Sequence, residues 1–271
     1  MDFHGKTAVI TGAASGIGRA TCEALARAGT SAIGMVDRSP AVRDFAASLN
    51  EQMRRDLAVP FVGDVTSDLF RQCVYRDLKG RFGAVHICIP AAGITRDRLA
   101  VRVDKDTGQA ETYSRKDLEE VFAINLVAPI CWALDAIGTV AEERARRGQS
   151  RWEPSEPVQG GVVFIGSVSS AGNRGQVSYA AAKAGLDGAQ ATLAKEAIYY
   201  GIRSNIIHPG YTDTPMVRAL GQELIEHHIL PHTQLRRLLQ PEEIADAIVF
   251  MLRNSAVSGS LWVDAGWHPA A

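Results

Sequence analysis

The sequence predicts an α/β fold: a doubly wound parallel sheet covered on both faces by helices, three αβα layers in a single domain over residues 1–271. Three observations predict it. Short apolar runs alternate with longer stretches of helical spacing, the pattern of strand–helix–strand units joined by right-handed crossovers. The runs are apolar at successive positions, so both faces of each strand are buried, as parallel sheets require. A glycine-rich turn separates the first run from the first helix, where such folds carry an anion-binding device.

The elements follow in order. Lys6–Thr11 (KTAVIT) is the first strand, and helical spacing runs from Gly16 to about Ala28. Ala32–Asp37 (AIGMVD) is the second, with a helix over Pro40–Arg55. Val59–Val62 and Val85–Ile89 are strands separated by helical spacing from Asp68 to Arg81. Gly161–Ile165, Ser204–His208 and Ser260–Asp264 complete the sheet. The longest helical stretches are Lys116–Ala145 and Val177–Tyr200. The second is rich in alanine and suits close packing against the sheet or against another subunit. Two polar segments look inserted. Residues 95–113 follow the fourth strand and fall on the carboxyl edge of the sheet, where ligands bind. Residues 146–159 precede a strand and fall on the opposite edge, as a solvated loop or contact surface.

Composition narrows the function. The 271 residues are 46% hydrophobic, enough for one large core. Twenty-nine basic and 30 acidic side chains leave a net charge of -1, which favours neither nucleic acid nor an anionic membrane. Cys22, Cys73, Cys88 and Cys131 form no C-x-x-C pair and sit in apolar runs, so they read as buried free thiols of a cytoplasmic protein. The N-terminal residues lack a signal-peptide apolar segment. No run of about 18 apolar residues is evident, so no membrane span is expected.

The first strand leads into Thr11-Gly12-Ala13-Ala14-Ser15-Gly16-Ile17-Gly18, a G-x-x-x-G-x-G turn. Glycines let the backbone approach a pyrophosphate, and the helix start offers unpaired N–H groups and the positive end of its dipole. The second strand ends at Asp37, followed by Arg38. A carboxylate there accepts hydrogen bonds from ribose hydroxyls and repels a 2′-phosphate. Ser15 adds no positive charge. Both features favour NAD(H) over NADP(H). Arg38 argues the other way, because a guanidinium pairs well with a phosphate.

Tyr179 and Lys183 are four residues apart and share one helix face. A lysine charge beside a phenol favours the phenolate and lowers its pKa, so the pair can move a proton on an alcohol or ketone oxygen. Ser167 follows the strand Val162–Ile165 and would hold that oxygen, with Ser169 the alternative. Asn125 lies inside a long helical stretch, which hints at a kink or a buried polar role.

Together these residues resemble the short-chain dehydrogenase/reductase family, in its single-domain, Rossmann-type branch, from Lys6 to about Gly266. Thr11–Gly18 is similar to its T-G-x-x-x-G-x-G turn. Asp64 and Val65 resemble the pair that meets the adenine ring. Ala91, Ala92 and Gly93 resemble the end of its N-[NA]-A-G motif, with Pro90 standing where the family has asparagine. Asn125, Ser167, Tyr179 and Lys183 match its catalytic tetrad. Pro209, Gly210 and Thr212 fall in its P-G segment, with Thr214 as the candidate to hold the nicotinamide carboxamide.

The resemblance implies hydride transfer between nicotinamide and a secondary alcohol or ketone. It gives Tyr179 the proton, Lys183 the nicotinamide ribose, and Asn125 a water linking Lys183 to solvent. Residues 172–185 are similar to 3-oxoacyl-carrier-protein reductases, which implies an acyl thioester substrate. Such reductases commonly use NADPH. A small alcohol, sugar or steroid-like hydroxyl is the alternative substrate, and a non-catalytic nucleotide-binding regulator the remote one. Residues 214–237 form the expected substrate lid, and its His227, His228 and His232 are read as solvated side chains rather than metal ligands. The family implies a homo-oligomer, tetramer or dimer.

Overall fold

The computed structural model describes residues 1–267; the last four, included in the single-domain expectation, lie outside the described residues. Seven parallel strands form one sheet. In chain order these are β1 (Thr7–Thr11), β2 (Ala32–Asp37), β3 (Ala58–Val62), β4 (Ile87–Pro90), β7 (Gly160–Ile165), β8 (Ile202–Pro209) and β9 (Gly259–Val263). Between β4 and β7 a two-stranded antiparallel hairpin stands apart, β5 (Val101–Val103) and β6 (Ala110–Thr112). Across the large sheet the order is β3-β2-β1-β4-β7-β8-β9. The winding reverses between β1 and β4, and the crevice at their carboxyl ends is where this architecture binds ligands.

Burial explains the strand pattern. All five residues of β1 and all eight of β8 are buried, because helices cover both faces. One core layer packs β-sheet residues such as Ile10, Ile33 and Ile207 under α1 (Gly16–Arg27), α2 (Ala41–Met53) and α9 (Pro241–Arg253). The other packs Val9, Cys88 and Phe164 under α3 (Asp68–Phe82), α5 (Ala128–Arg146) and α6 (Val177–Glu196). Cys22 and Cys88 are buried as expected, but Cys73 on α3 is exposed and Cys131 on α5 is only half-buried. Both helices are amphipathic and these two positions fall away from the buried stripe, which an apolar run alone does not reveal.

The stretch expected as one helix over Lys116–Ala145 is α4 (Arg115–Phe122), a π-turn (Ala123–Val127) and α5. Pro129 has no N–H, so the Asn125 carbonyl lacks its ordinary i+4 donor, and the helix widens there. This continuous run, Arg115–Arg146, contains an 18-residue window long and apolar enough to cross a membrane by length and composition alone. Its apolar side chains include Trp132, Ala133, Ala136 and Val140, all in the core, as a sheet-covering helix requires.

The two inserted segments differ. Residues 146–159 stay on the amino edge, tied down by the buried Arg144, which donates to Glu156 at 2.6 and 3.1 Å, and by Trp152 N–H donating to Tyr199 O. Residues 95–113, expected as a polar loop, contain the β5–β6 hairpin. The lid is helical in short pieces, α7 (Pro215–Arg218), α8 (Gln222–Leu224), a π-turn (Ile225–Ile229) and a 3-10 turn (Leu230–His232). His232 turns its ring edge to Trp267 and bonds His228 O at 3.1 Å.

Candidate active site

The glycine turn is built against the start of the 91–93 segment. Gly12 has φ +67, and a Cβ there would lie 2.9 Å from Ala92 N, so only glycine fits. The Thr11 hydroxyl accepts from Ala92 N–H at 3.1 Å. This supplies a polar contact beside Pro90, where the family's asparagine is missing. Ala13 N–H donates to Val36 O, closing the turn onto β2. The turn ends at Ser15, whose side chain makes no cap bond to α1. Among the described residues, the first N–H groups of α1, at Gly16, Ile17 and Gly18, have no side-chain partner. Thr214 arrives from the far side: its Cγ2 would meet a Gly16 Cβ at 2.9 Å. A cradle that a Cβ would fill, beside uncapped N–H groups, fits the pyrophosphate of a dinucleotide.

The ends of β2 and β3 come beside it. Gly63 N–H donates to Asp37 O, which brings Asp64 and Val65 next to Asp37. Asp64 closes its own turn, its Oδ1 accepting from Thr66 N–H and hydroxyl at 2.8 and 2.7 Å. Val65 O accepts from the buried Trp132 indole at 3.0 Å. The Asp37 carboxylate is oriented by the turn. Its Oδ2 accepts from Ala14 N–H at 3.0 Å and its Oδ1 from Ser39 N–H at 2.8 Å. Arg38 is exposed and makes no ion pair among the described residues.

Past β8, Pro209 and Gly210 lie against β9, with Gly210 N–H donating to Val263 O. Thr212 is buried and its hydroxyl donates to Gly210 O at 3.0 Å. That leaves Thr214, which caps α7 by accepting from Val217 N–H at 3.4 Å, as the threonine facing the glycine turn.

The catalytic candidates gather at the carboxyl end of β7. Ser167 follows the strand and its hydroxyl accepts from Ser169 N–H at 3.0 Å. Tyr179, in the first turn of α6, is near enough to the Ser167 hydroxyl for it to favour the phenolate. Ser169 instead turns to Asn173, whose amide donates to it at 3.4 Å. Lys183 is buried and donates to Ile165 O at 2.7 Å, with its ammonium 5.6 Å from the Tyr179 ring centre. Asn125, fully buried in the π-turn, accepts from Ile94 N–H at 2.9 Å and donates to Ile94 O at 2.8 Å. Its side chain thus clamps the chain just after Gly93.

Electrostatics differ from the sequence expectation. Burial pushes the Tyr179 phenol up to about 12, helped by the Asp97 and Tyr211 charges and opposed by the Ser167 hydrogen bond. Burial also pushes the Lys183 ammonium down to about 8. Lys183 is tethered to Ile165 rather than to the phenol, so desolvation wins over pairing.

Lys183 makes stability pH-dependent in the ligand-free protein. An unfolded lysine titrates near 10.5, so between about pH 8 and 10.5 the unfolded chain binds more protons than the folded one. The penalty, on the order of 3 kcal/mol, is fully present below pH 8 and relieved as pH rises toward 10.5. Lys183→Met is therefore expected to raise Tm at pH 7, with the gain fading by about pH 10. Melting curves across that range check it; a gain equal at both ends would contradict the assignment.

Three contacts escaped the sequence reading. Gln176 donates to Asp97 Oδ2 at 2.7 Å, Arg98 N–H donates to Gly175 O at 2.8 Å, and the Tyr113 hydroxyl pairs with Ser178 Oγ at 2.7 Å. They join the hairpin insertion to the residues just ahead of Tyr179. No periodicity marks them, because they join segments far apart in sequence.

Comparison with known proteins decides the family. A family described as enoyl-(acyl carrier protein) reductase matches residues 12–268. The chain belongs to the short-chain dehydrogenase/reductase family. Among relatives of this short-chain reductase, 3-oxoacyl-[acyl-carrier-protein] reductase FabG of Escherichia coli K12 is 32% identical over 260 residues, 94% of this chain and 93% of the relative. The enzymes of the same name from Salmonella typhimurium and Pseudomonas aeruginosa are 31% and 33% identical over 257 residues, with the same coverage. As a short-chain reductase the chain is an NAD(P)-dependent oxidoreductase acting between CH–OH and keto groups. The relatives correct one expectation. The preference for NAD(H) over NADP(H) does not stand, because the 3-oxoacyl-carrier-protein reductases it resembles work with NADPH. The physical reason lies in Arg38: exposed beside Asp37, its guanidinium suits a phosphate and offsets the carboxylate's repulsion.

Proposed function

We propose that this protein reduces the 3-keto group of an acyl thioester carried on a carrier protein, using NADPH, with Tyr179 as proton donor. The observation that carries the reading is the grouping of Tyr179 with Lys183, whose ammonium lies 5.6 Å from its ring centre, at the carboxyl end of β7. A neutral phenol is a donor, which suits reduction of a ketone. The likeness to 3-oxoacyl-carrier-protein reductases supports the substrate class.

When bound, the nicotinamide nucleotide supplies the hydride. The Gly12–Gly18 turn holds its pyrophosphate against the α1 N–H groups, Asp64 and Val65 border the adenine, and Arg38 pairs with the 2′-phosphate. Ala91, Ala92 and Gly93 form the floor, and Thr214, set by Pro209–Gly210 and Thr212, meets the carboxamide. Ser167 holds the ketone oxygen and Tyr179 gives it a proton as the alcohol forms. Lys183 binds the ribose and steadies the phenolate left behind. The Asn125 side chain is engaged by Ile94, so its main-chain carbonyl, released by Pro129, holds the water that returns a proton. Exposed Val127 just before α5 and Leu134 on it, with Val177 on α6 and Tyr199 just past its end, support a homo-oligomer, dimer or tetramer, through these helices. Four free cysteines suit a reducing cytoplasm.

The test is side-by-side reduction of a 3-oxoacyl thioester and a panel of simple ketones with NADPH and NADH. The thioester with NADPH is expected to be turned over best; preference for a simple ketone would sink the reading. Arg38→Ala is expected to weaken NADPH binding by about tenfold while NADH changes little. Equal loss for both nucleotides in a binding titration would remove Arg38 from that role.

A further inference from the structure

Asp97 stands at the root of the hairpin insertion, where residues 95–113 meet the segment leading to Tyr179. Gln176 Nε2 donates to its Oδ2 at 2.7 Å, and Arg98 N–H donates to Gly175 O at 2.8 Å. From the other leg of the hairpin, the Tyr113 hydroxyl donates to Arg96 O and meets Ser178 Oγ, both at 2.7 Å. These contacts fix the Asp97 carboxylate beside residues 175–178, immediately ahead of the catalytic tyrosine.

The charge of Asp97 has no counter-ion. Its neighbour Arg96 is taken by Glu120, with bonds of 2.8 and 3.0 Å. Gln176 is neutral, and Asp97 makes no ion pair among the described residues. The cation of the catalytic group, Lys183, is drawn to Ile165 O. A carboxylate with no ion pair among the described residues is thus held by Gln176, three residues ahead of Tyr179, on the exposed side of the candidate site.

We propose that Asp97 is a specificity-determining residue: it selects substrates that are uncharged beside the reacting ketone, such as thioesters and esters, and turns away the corresponding 3-keto carboxylates. A 3-keto acid bound with its ketone at Tyr179 carries its own carboxylate two carbons away. Like charges then lie together at the protein surface, where repulsion is still stronger than in bulk water. A thioester or ester meets no such barrier. Discrimination through a built-in repulsive group is an established way to achieve specificity. The inference rests on the reductase reading above.

The test compares methyl 3-oxobutanoate with 3-oxobutanoate. Reduction by NADPH gives kcat/KM, and titration calorimetry in the presence of NADP⁺ gives the dissociation constants. Asp97→Asn keeps the shape and still accepts from Gln176, but removes the charge. It is expected to raise the acid-to-ester ratio at least about tenfold in both readouts, whereas Asp97→Glu leaves it near wild type. Added salt should narrow the wild-type discrimination and leave that of Asp97→Asn unmoved. An unchanged ratio in Asp97→Asn overturns the proposal. So does an equal change in Asp97→Asn and Asp97→Glu, which would mean shape rather than charge. Absence of turnover with either compound counts against the reductase reading alone, because the binding ratio still decides the role of Asp97.

Discussion

Tyr179→Phe is expected to keep nucleotide binding within about threefold and to lose ketone reduction by about 10³-fold, the loss that follows removal of a positioned acid. The substitution removes one oxygen and leaves the ring, which lies half-buried between Ser167 and the hairpin root. Lys183 keeps its bond to Ile165 O, so the neighbouring cation stays in place. What disappears is the proton that becomes the alcohol hydrogen, together with the bond to Ser167. Stopped-flow reduction of a 3-oxoacyl thioester, beside a fluorescence titration with NADPH, reads both quantities. Near-normal turnover would mean that another group supplies the proton and would dismantle the catalytic assignment.

Gly18→Ala is expected to cost about 3 kcal/mol of stability, the upper range for overpacking a site that cannot yield. A Cβ at Gly18 would stand 2.2 Å from Gly12 O, 2.7 Å from Gly12 C and 3.1 Å from Thr11 O. All three are main-chain atoms, so no side chain can swing aside. The turn would have to move, and with it the N–H groups that face the pyrophosphate. Nucleotide affinity should fall on the order of 100-fold, as expected when an oriented anion site is displaced. Gly80→Ala is the control: it lies in α3, is exposed, and has nothing within 4 Å of its Cβ position. That change should stabilise by up to about 1 kcal/mol through helix propensity. Thermal melts with and without NADPH separate the two, and equal behaviour of the two variants would show that the close approach at Gly18 does not matter.

Local chemistry in the chain was enough for several of these elements. The buried runs KTAVIT and AIGMVD lie within one residue of β1 and β2, because a strand covered on both faces must be apolar at every position. The odd asparagine at position 125 pointed to an interruption, and a π-turn stands there. Tyr179 and Lys183 share a face because four residues make about one helical turn. Other features needed the folded chain. The hairpin in residues 95–113 escaped notice because its strands are three residues each and fully exposed, too short for alternation to mark them. The main-chain bonds from Ala14 and Ser39 that orient the Asp37 carboxylate also needed the folded chain.

The sequence by itself determined the sheet, its layers, the glycine turn and the order of the catalytic side chains. Each follows from spacing along one strand, one turn or one helix, and neighbours in sequence interact through fixed local geometry. Only the tertiary structure decided which groups meet. It set Lys183 on Ile165, Asn125 on Ile94, Thr214 on Gly16 and Asp97 on Gln176. It also decided the charge states: burial, a property of the whole packed chain, raised the Tyr179 phenol and depressed the Lys183 ammonium against what their adjacency alone implies.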